Sequence, residues 1–96
     1  MSELKWSSEA LGDLDRHYKS LFVKNPNAAI QALKLISKNA NSLALSPYKG
    51  VKLKTLPRVR KWPVNFGKYG FVIHYEVRED IVLITRVYHG RENRFV

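Results

Sequence analysis

The sequence predicts an α+β domain in the order β-α-α-β-β-β, with an antiparallel sheet that carries an N-terminal helical hairpin on one face. Two β-forming runs, residues 71–77 and 81–88, flank a short charged turn, which is ordinary spacing for a β-hairpin. Two amphipathic helical stretches precede this hairpin, and a short β-forming run opens the chain. At 96 residues the chain is long enough for one domain, residues 1–96, and too short for a second.

The first two elements have clear signals. Residues 4–6 predict a short strand, and Ser7 or Ser8 then offers a helix N-cap. Negative charge in the first turns suits the helix dipole and comes from Glu9, Asp13 and Asp15. The apolar side chains recur at spacings of three and four, as in an amphipathic helix: Leu11, Leu14, Tyr18, Leu21 and Phe22.

The second helix begins at a tight connection. Asn25 is its expected cap, and Pro26 takes the first helical position, where its missing N–H is not needed. The apolar face continues to about Leu45. Alternation over residues 51–56 then predicts a half-exposed strand with lysines facing outward, whereas residues 57–63 carry two prolines and predict a loop or an edge strand.

The last strand changes character abruptly at its end. Residues 81–88 are apolar on both faces for most of their length, as expected of a central strand covered on both sides. The polar and basic residues 89–94 follow at once. A buried strand that delivers such a segment to the surface is where we expect function.

Charge is distributed unevenly along the chain. The sequence has 17 Lys and Arg against 8 Asp and Glu, a formal net charge of +9. Twelve of the basic residues, and no acidic one, lie between Arg16 and Tyr75. This asymmetry favours an acidic partner, either nucleic acid or an acidic protein, over a basic face that only aids solubility.

Several functional classes lack support in the sequence. There is no cysteine, which excludes disulfides, thiolate metal sites and a cysteine nucleophile. Gly-rich phosphate loops, the G-x-S-x-G motif and histidine pairs at metal-ligand spacing are all absent, so we expect no cofactor and no metal. The apolar runs are strand-sized and the N-terminus has no secretory apolar core, so we expect a cytoplasmic protein without a membrane partner.

The three histidines are far apart in sequence. His17 falls on the predicted polar side of its helix and is expected to be inert. His74, beside Glu76, is expected to be packed and hydrogen-bonded. His89 lies two residues before Arg91, where it could donate a proton in phosphodiester cleavage or simply close the strand.

A basic segment precedes the hairpin and is flanked by Tyr48 and Trp62. Its cations are Lys49, Lys52, Lys54, Arg58, Arg60 and Lys61. Such a segment can hold phosphates and stack a base, although edge strands also carry lysines to prevent edge pairing. Together with Arg86, Arg91 and Arg94 it predicts one cationic face of the sheet.

Several stretches resemble the RelE/ParE superfamily of toxin–antitoxin toxins, and in particular its ParE-like branch. The opening L-K-W-S-S-E-A-L-G-D-L is similar to the family's first strand and helix, and Asn25-Pro26 falls at a similar turn. The ending V-I-H-Y-E-V-R-E-D-I-V-L-I-T-R-V-Y-H-G-R-E-N is similar to the ParE-type pattern I-x-I-x-R-V-x-H-x-R. The resemblance covers essentially the whole chain.

The resemblance implies a small basic toxin neutralised by a cognate acidic antitoxin. ParE-like members poison DNA gyrase and are not nucleases, whereas RelE-like members enter the ribosome and cut mRNA. The mRNA-cleaving branch commonly has an arginine where this chain has Val72. Some of its members use a terminal histidine similar to His89, but the tyrosine that follows theirs is Gly90 here. We therefore expect inhibition of gyrase by binding.

The residue roles follow from this resemblance. Under the gyrase hypothesis, target contact is assigned to Arg86, His89, Arg91 and Arg94. Under the alternative, a ribosome-dependent mRNA endonuclease without a metal, His89 protonates the leaving oxygen while Arg91, Lys54 and Lys52 stabilise the phosphate. A third hypothesis is a basic module that only binds nucleic acid.

Overall fold

A computed structural model describes residues 2–92 of the chain as five strands and two helices. In chain order they are β1 (Glu3–Trp6), α1 (Ser8–Lys24), α2 (Pro26–Leu45), β2 (Val51–Lys52), β3 (Val59–Val64), β4 (Phe71–Arg78) and β5 (Ile81–His89). This order confirms the predicted α+β class. Neither described helix is long and apolar enough to cross a membrane.

The strands form one sheet in the order β1-β5-β4-β3-β2. The predicted hairpin is confirmed, since β4 and β5 pair antiparallel along their whole length. β1 lies beside β5 and runs parallel to it, with Leu4 opposite Val82 and Trp6 opposite Ile84. The sheet is therefore mixed, and the expectation of a purely antiparallel sheet was wrong at this edge. Pairing between residues almost 80 positions apart leaves no local signal in the sequence.

Both helices begin at the predicted caps. The Ser7 hydroxyl accepts a hydrogen bond from the Ala10 N–H at 3.0 Å, and the Asn25 side-chain carbonyl accepts one from the Ala28 N–H at 3.1 Å. Pro26 occupies the first turn of α2. These contacts satisfy N–H groups that a helix cannot pair internally, so they define where each helix begins.

The helical hairpin packs on one face of the sheet, as predicted. Small side chains of the helices, among them Ala10, Ala32 and Ala40, are buried against the strands. The remaining core is branched and aromatic: Ile36, Leu43, Phe71, Ile73, Tyr75, Val82, Ile84 and Val87. Because small residues lie on the helices, the helices approach the large side chains of β4 and β5 closely.

Tyr75 anchors the loop that follows α2. Its ring is fully buried, and its hydroxyl donates to the Pro47 carbonyl at 2.7 Å and accepts from the Gly50 N–H at 2.9 Å. A Cβ on Gly50 would overlap the Tyr75 hydroxyl. Glycine is therefore the residue that lets the loop backbone approach the ring this closely.

The basic segment differs from the prediction in its strands. The strand expected over residues 51–56 ends at Lys52, and residues 57–63, expected to be a loop or an edge strand, supply most of the full strand β3 (Val59–Val64). β2 pairs only with residues 60 and 61 of β3. Within the described chain, β3 therefore pairs with β4 alone at Pro63. Because no strand lies on its other side there, the missing N–H of proline costs no hydrogen bond of the sheet.

Replacing Tyr75 by Phe removes the hydroxyl that bridges Pro47 and Gly50. We expect the free energy of unfolding to fall by about 1–3 kcal/mol, because two buried backbone groups lose their partner. Urea denaturation followed by circular dichroism measures the change. Tyr69→Phe is the matched control, since this ring is half exposed, and it should shift stability by less than about 0.5 kcal/mol. Equal losses in the two variants would contradict the role assigned to the buried hydroxyl.

Candidate functional site at the end of the last strand

The end of β5 has an edge that no described strand covers. β1 pairs with β5 only as far as Ile84, so the backbone groups of residues 85–89 need other partners. The start of α1 supplies the first: the Ser7 hydroxyl donates to the Thr85 carbonyl at 2.9 Å. Helix α1 then continues along the edge in place of a strand.

Asp13 of α1 is the central partner of this edge. Its carboxylate is only 4% exposed and accepts from the Val87 N–H at 2.9 Å. It also accepts two hydrogen bonds from the Arg86 guanidinium, at 2.8 and 3.0 Å, and one from Arg16 at 3.4 Å. Burial by itself raises the pKa of Asp13, but the bonds from Arg86 and Val87 outweigh it and lower the pKa below 3.8. The carboxylate is therefore ionised and fully paired.

His17 lies one helical turn after Asp13 and pairs a further backbone group at the edge of β5. Its Nε2–H donates to the Val87 carbonyl at 2.8 Å, and its ring is buried. Burial lowers the pKa of His17, so the ring is neutral with its proton on Nε2. The expectation that His17 lies on the polar side of the helix was wrong, because this side of α1 faces the edge of β5.

Residues 89–92, here called the terminal turn, are tied to the same helix. The Glu92 carboxylate accepts from the His89 N–H at 2.8 Å and from two nitrogens of Arg16, each at 3.1 Å. Burial raises the pKa of Glu92, yet the bonds from Arg16 and His89 lower it overall. This two-point pair with Arg16 fixes the terminal turn against α1.

Gly90 gives the terminal turn its shape. Its N–H donates to the Gly70 carbonyl at 2.9 Å, and a Cβ at this position would overlap the backbone carbonyl of Tyr69. Position 90 thus has no room for a side chain unless the backbone moves.

His89 points its imidazole into a packed aromatic cluster. Its ring meets Phe71 edge-on, with 5.7 Å between centroids, and lies 5.7 Å from Tyr69. Its Nδ1 accepts from the Arg91 N–H at 3.2 Å, so in the neutral ring the proton is on Nε2. The turn thereby holds His89 and Arg91 side by side.

A cleft of about 480 Å³ lies between α1 and the terminal turn. Besides His17, His89 and Glu92, it is lined by Arg16, Ser20, Leu21, Lys24, Phe71 and Arg91. We call it the terminal cleft. Its lining combines cations with an apolar floor, which suits an acidic ligand that also carries apolar groups.

The four residues assigned to target contact have different positions. His89 and Arg91 lie together at the terminal cleft, and the Arg91 guanidinium stacks over Tyr69, 5.0 Å from the ring centroid. Arg86 instead turns toward Asp13, and the hydrogen bonds to that carboxylate raise its pKa. Arg94 lies outside the described residues.

The basic segment does not form a single face. Arg60 pairs with the core residue Tyr75 in the register, whereas Lys61 pairs with His74 on the opposite face. Successive residues of a strand point to opposite sides, so the predicted continuous cationic face was wrong. Arg60 also donates to the carbonyls of Tyr48 and Gly50, at 3.2 and 2.7 Å, and thereby holds the loop after α2.

The remaining cations of this segment lie apart from the terminal turn. Lys49 donates to Ser42 at 2.8 Å, and Arg58 lies 3.7 Å from the Glu76 carboxylate. Lys52 ends β2, and Lys54 follows it. β2 is three strands from β5, which corresponds to roughly 14 Å. The proposed nuclease residues are therefore not gathered around one point.

A second cavity, of about 280 Å³, lies on the face of the sheet away from the helices and is lined in part by His74 and Glu76. His74 is packed, as expected, but its buried Nε2 has no hydrogen-bond partner in the described chain. Burial, helped by Lys61 and Arg86, lowers the pKa of His74, so the ring is neutral. Across residues 2–92 no group of three His, Cys, Asp or Glu side chains is placed to hold a metal ion.

From the sequence, Asp13 is expected only to suit the helix dipole, and its contact with Arg86 was not predicted. A signal was present, because Ala10, Asp13, Leu14, His17 and Leu21 share the helical spacing of a buried stripe. Two polar residues within such a stripe indicate polar partners on the neighbouring element.

Asp13→Asn keeps the shape of the side chain but places an amide donor against the N–H groups of Arg86 and Val87. We expect the free energy of unfolding near neutral pH to fall by about 3 kcal/mol, because the buried site loses the negative charge that pairs with Arg86. The folded-state pKa lies below 3.8, so the stabilisation by Asp13 is complete above that pH and is lost as the pH falls through the lowered value. The difference between variant and wild type should therefore shrink in acid.

The matched control for this prediction is Asp15→Asn. Asp15 is an exposed acid of the same helix that pairs with Lys19 at 2.9 Å. An exposed pair of this kind contributes about 0.5 kcal/mol or less. Chemical denaturation at several pH values compares the two variants, and equal losses would contradict the role of Asp13.

His74→Leu replaces a buried imidazole that lacks a partner at Nε2 with an apolar side chain of similar size. We expect the free energy of unfolding to rise by about 1 kcal/mol near neutral pH. Because the pKa of His74 is lowered from 6.5, the unfolded chain takes up a proton below that pH more readily than the folded chain. The advantage of the leucine should thus grow as the pH falls below 6.5. Destabilisation by His74→Leu in urea titrations would contradict this reasoning.

Comparison with known proteins places the chain in a family. Residues 4–94 match the family model described as the ParE toxin of the type II toxin–antitoxin system, parDE. Toxin RelE3 of Caulobacter vibrioides is 31% identical over 98% of this chain and 100% of its own length. Toxin RelE1 of the same organism is 31% identical over 92% of each chain.

Solved structures agree with the sequence comparison. The structure titled "Chromosomal ParDE TA system from P. aeruginosa" aligns with a TM-score of 0.76 at 25% identity and covers 93% of this chain and 96% of its own. YafQ from E. coli shares the fold alone, with a TM-score of 0.54 at 16% identity over 95% of this chain and 96% of its own. The chain therefore belongs to the ParE toxin family of type II toxin–antitoxin systems, within the RelE/ParE superfamily.

Proposed function

We propose that this chain is a single-domain, cytoplasmic ParE-like toxin that inhibits DNA gyrase by binding it, and that a cognate acidic antitoxin neutralises it. The family membership supports the toxin role and the antitoxin partner. The observation that carries the choice of mechanism is the separation of the residues that mRNA cleavage would require.

Cleavage of a phosphodiester needs a proton donor and cations within hydrogen-bonding distance of one phosphate. Here His89 and Arg91 lie at one end of β5, whereas Lys52 ends β2, the strand at the far edge of the sheet, and Lys54 lies in the loop that follows it. The intervening strand β4 offers Val72, which carries no charge. This separation supports a toxin that acts by binding.

The terminal turn is the proposed contact surface. Glu92 and Arg16 fix the turn to α1, so His89 and Arg91 are presented in one geometry before any target binds. Such preorganisation reduces the entropy lost on binding. Arg86 acts as a positioning residue, because its bonds to Asp13 hold the strand that carries the turn. Arg94 is retained as a target-contact residue on the strength of the sequence pattern.

A ribosome-dependent mRNA endonuclease is the second candidate, because the two curated relatives are named RelE toxins. His89 supports it as well, because imidazole is a common general acid and this ring lies beside Arg91 at the terminal turn. In this case Arg91 would stabilise the phosphate, and Lys52 and Lys54 would contact the RNA at a distance from the cut bond.

Arg91→Ala tests the gyrase proposal through inhibition of DNA supercoiling by purified gyrase. We expect the concentration of toxin that gives half-inhibition to rise about tenfold or more, because a contact at the centre of the interface is lost. Lys38→Ala, on the exposed face of α2, removes the same charge and should leave inhibition unchanged.

Two outcomes would contradict the gyrase proposal. One is wild-type toxin that leaves supercoiling intact at micromolar concentration. The other is mRNA cleavage in a cell-free translation reaction that His89→Gln abolishes, which would establish the endonuclease instead.

A further inference from the structure

We propose that the terminal cleft is the docking site for an acidic segment of the antitoxin, which neutralises the toxin by covering the terminal turn. This inference rests on the proposed function in one respect, namely that His89 and Arg91 contact the target. The charge and shape of the cleft, and the ion pair of Glu92 with Arg16 within it, support the site itself.

One wall of the terminal cleft is a line of α1 side chains. Arg16, Ser20 and Lys24 follow one another at intervals of four residues, so they lie along the same side of the helix. Arg91 contributes a further cation from the terminal turn, and Leu21 and Phe71 give the cleft an apolar character. This arrangement suits a peptide whose carboxylates face the α1 side chains and whose apolar side chain fills the space between α1 and the terminal turn.

Glu92 shows how a carboxylate is held in this cleft. It is the one acidic residue among the described lining residues, and it pairs with Arg16 through two 3.1 Å hydrogen bonds. Farther along the wall, Lys24 is exposed and forms no ion pair with any of residues 2–92. The wall therefore has two cations in line. Arg16 already binds the Glu92 carboxylate, whereas Lys24 has no carboxylate partner among residues 2–92.

Other cations near the sheet are less suited to an acidic partner. Arg60 is already hydrogen-bonded to the loop after α2, and Lys49 is hydrogen-bonded to Ser42.

Apolar side chains are exposed at the end of α1, next to Lys24. Phe22 is 46% exposed and Val23 is 83% exposed. An acidic segment that leaves the cleft here meets apolar side chains to bury, as an amphipathic segment requires.

The consequence is a mode of neutralisation. A segment seated between α1 and the terminal turn covers His89 and Arg91 and contacts Lys24 beyond them. The antitoxin and the target then compete for the turn, whereas Lys24 is used by the antitoxin alone. A change at Lys24 should separate neutralisation from toxicity.

Lys24→Glu tests the proposal, with Lys38→Glu as the matched control. Both are exposed helix lysines, and both changes reverse one charge. The probe is the purified cognate antitoxin, titrated calorimetrically at fixed salt. We expect Lys24→Glu to weaken binding about tenfold and Lys38→Glu to weaken it less than about threefold. Equal losses, or none for Lys24→Glu, would overturn the proposal.

A second measurement uses toxicity in cells. Lys24→Glu should still arrest growth, and co-expressed antitoxin should no longer rescue it, while Lys38→Glu should remain rescued. Ser20→Glu, which adds a carboxylate to the same wall, should behave like Lys24→Glu. Full rescue of both cleft variants would contradict docking in the cleft. Circular dichroism and thermal melts establish that each variant is folded.

The binding titration contains no gyrase, and the supercoiling assay contains no antitoxin, so the two proposals can fail separately. Loss of antitoxin binding in Lys24→Glu with no effect of the wild-type toxin on gyrase would overturn the gyrase target alone. A single-stranded RNA oligonucleotide is the remaining probe. If Lys24→Glu weakens RNA binding and leaves antitoxin binding intact, the cleft is a nucleic-acid site and the docking proposal is wrong.

Discussion

The structure depends on one carboxylate, that of Asp13, in the gap where β1 ends beside β5. A central strand that loses its neighbour midway leaves backbone N–H and C=O groups that must be satisfied. Asp13 accepts from the Val87 N–H and from Arg86, and His17 donates to the Val87 carbonyl one helical turn later. Helix α1 thereby takes the place of a strand. Its position on the sheet and the position of the terminal turn both follow from these contacts.

The cationic side chains of the chain have two different roles. Some cations hold the fold: Arg86 binds Asp13, and Arg60 binds the loop carbonyls before β2. Others, such as Lys24, line the terminal cleft and are exposed to a partner. The net charge of +9 is therefore a poor guide to where a partner binds. The geometry at the end of β5 is more informative, because cations, an apolar floor and a fixed turn meet there.

The features that could be predicted from the sequence are those with local causes. Helix caps at Ser7 and Asn25 and the hairpin of β4 and β5 depend on residues within a few positions of one another. The nearness of His89 to Arg91 was predictable for the same reason. The parallel pairing of β1 with β5 and the contact of Asp13 with Arg86 were not, because they join residues more than 70 positions apart. The continuous cationic face failed because residues 59–64 form a full strand, in which the adjacent residues Arg60 and Lys61 point to opposite faces.

The proposed binding of gyrase depends on a turn that α1 holds in place. Its most direct test is pulse-labelling of DNA and protein synthesis in bacteria after tightly controlled induction of the toxin without its antitoxin. Binding to gyrase requires DNA synthesis to stop first, with translation continuing until later. If protein synthesis stops first while DNA synthesis persists, the claim is contradicted and the chain acts on translation.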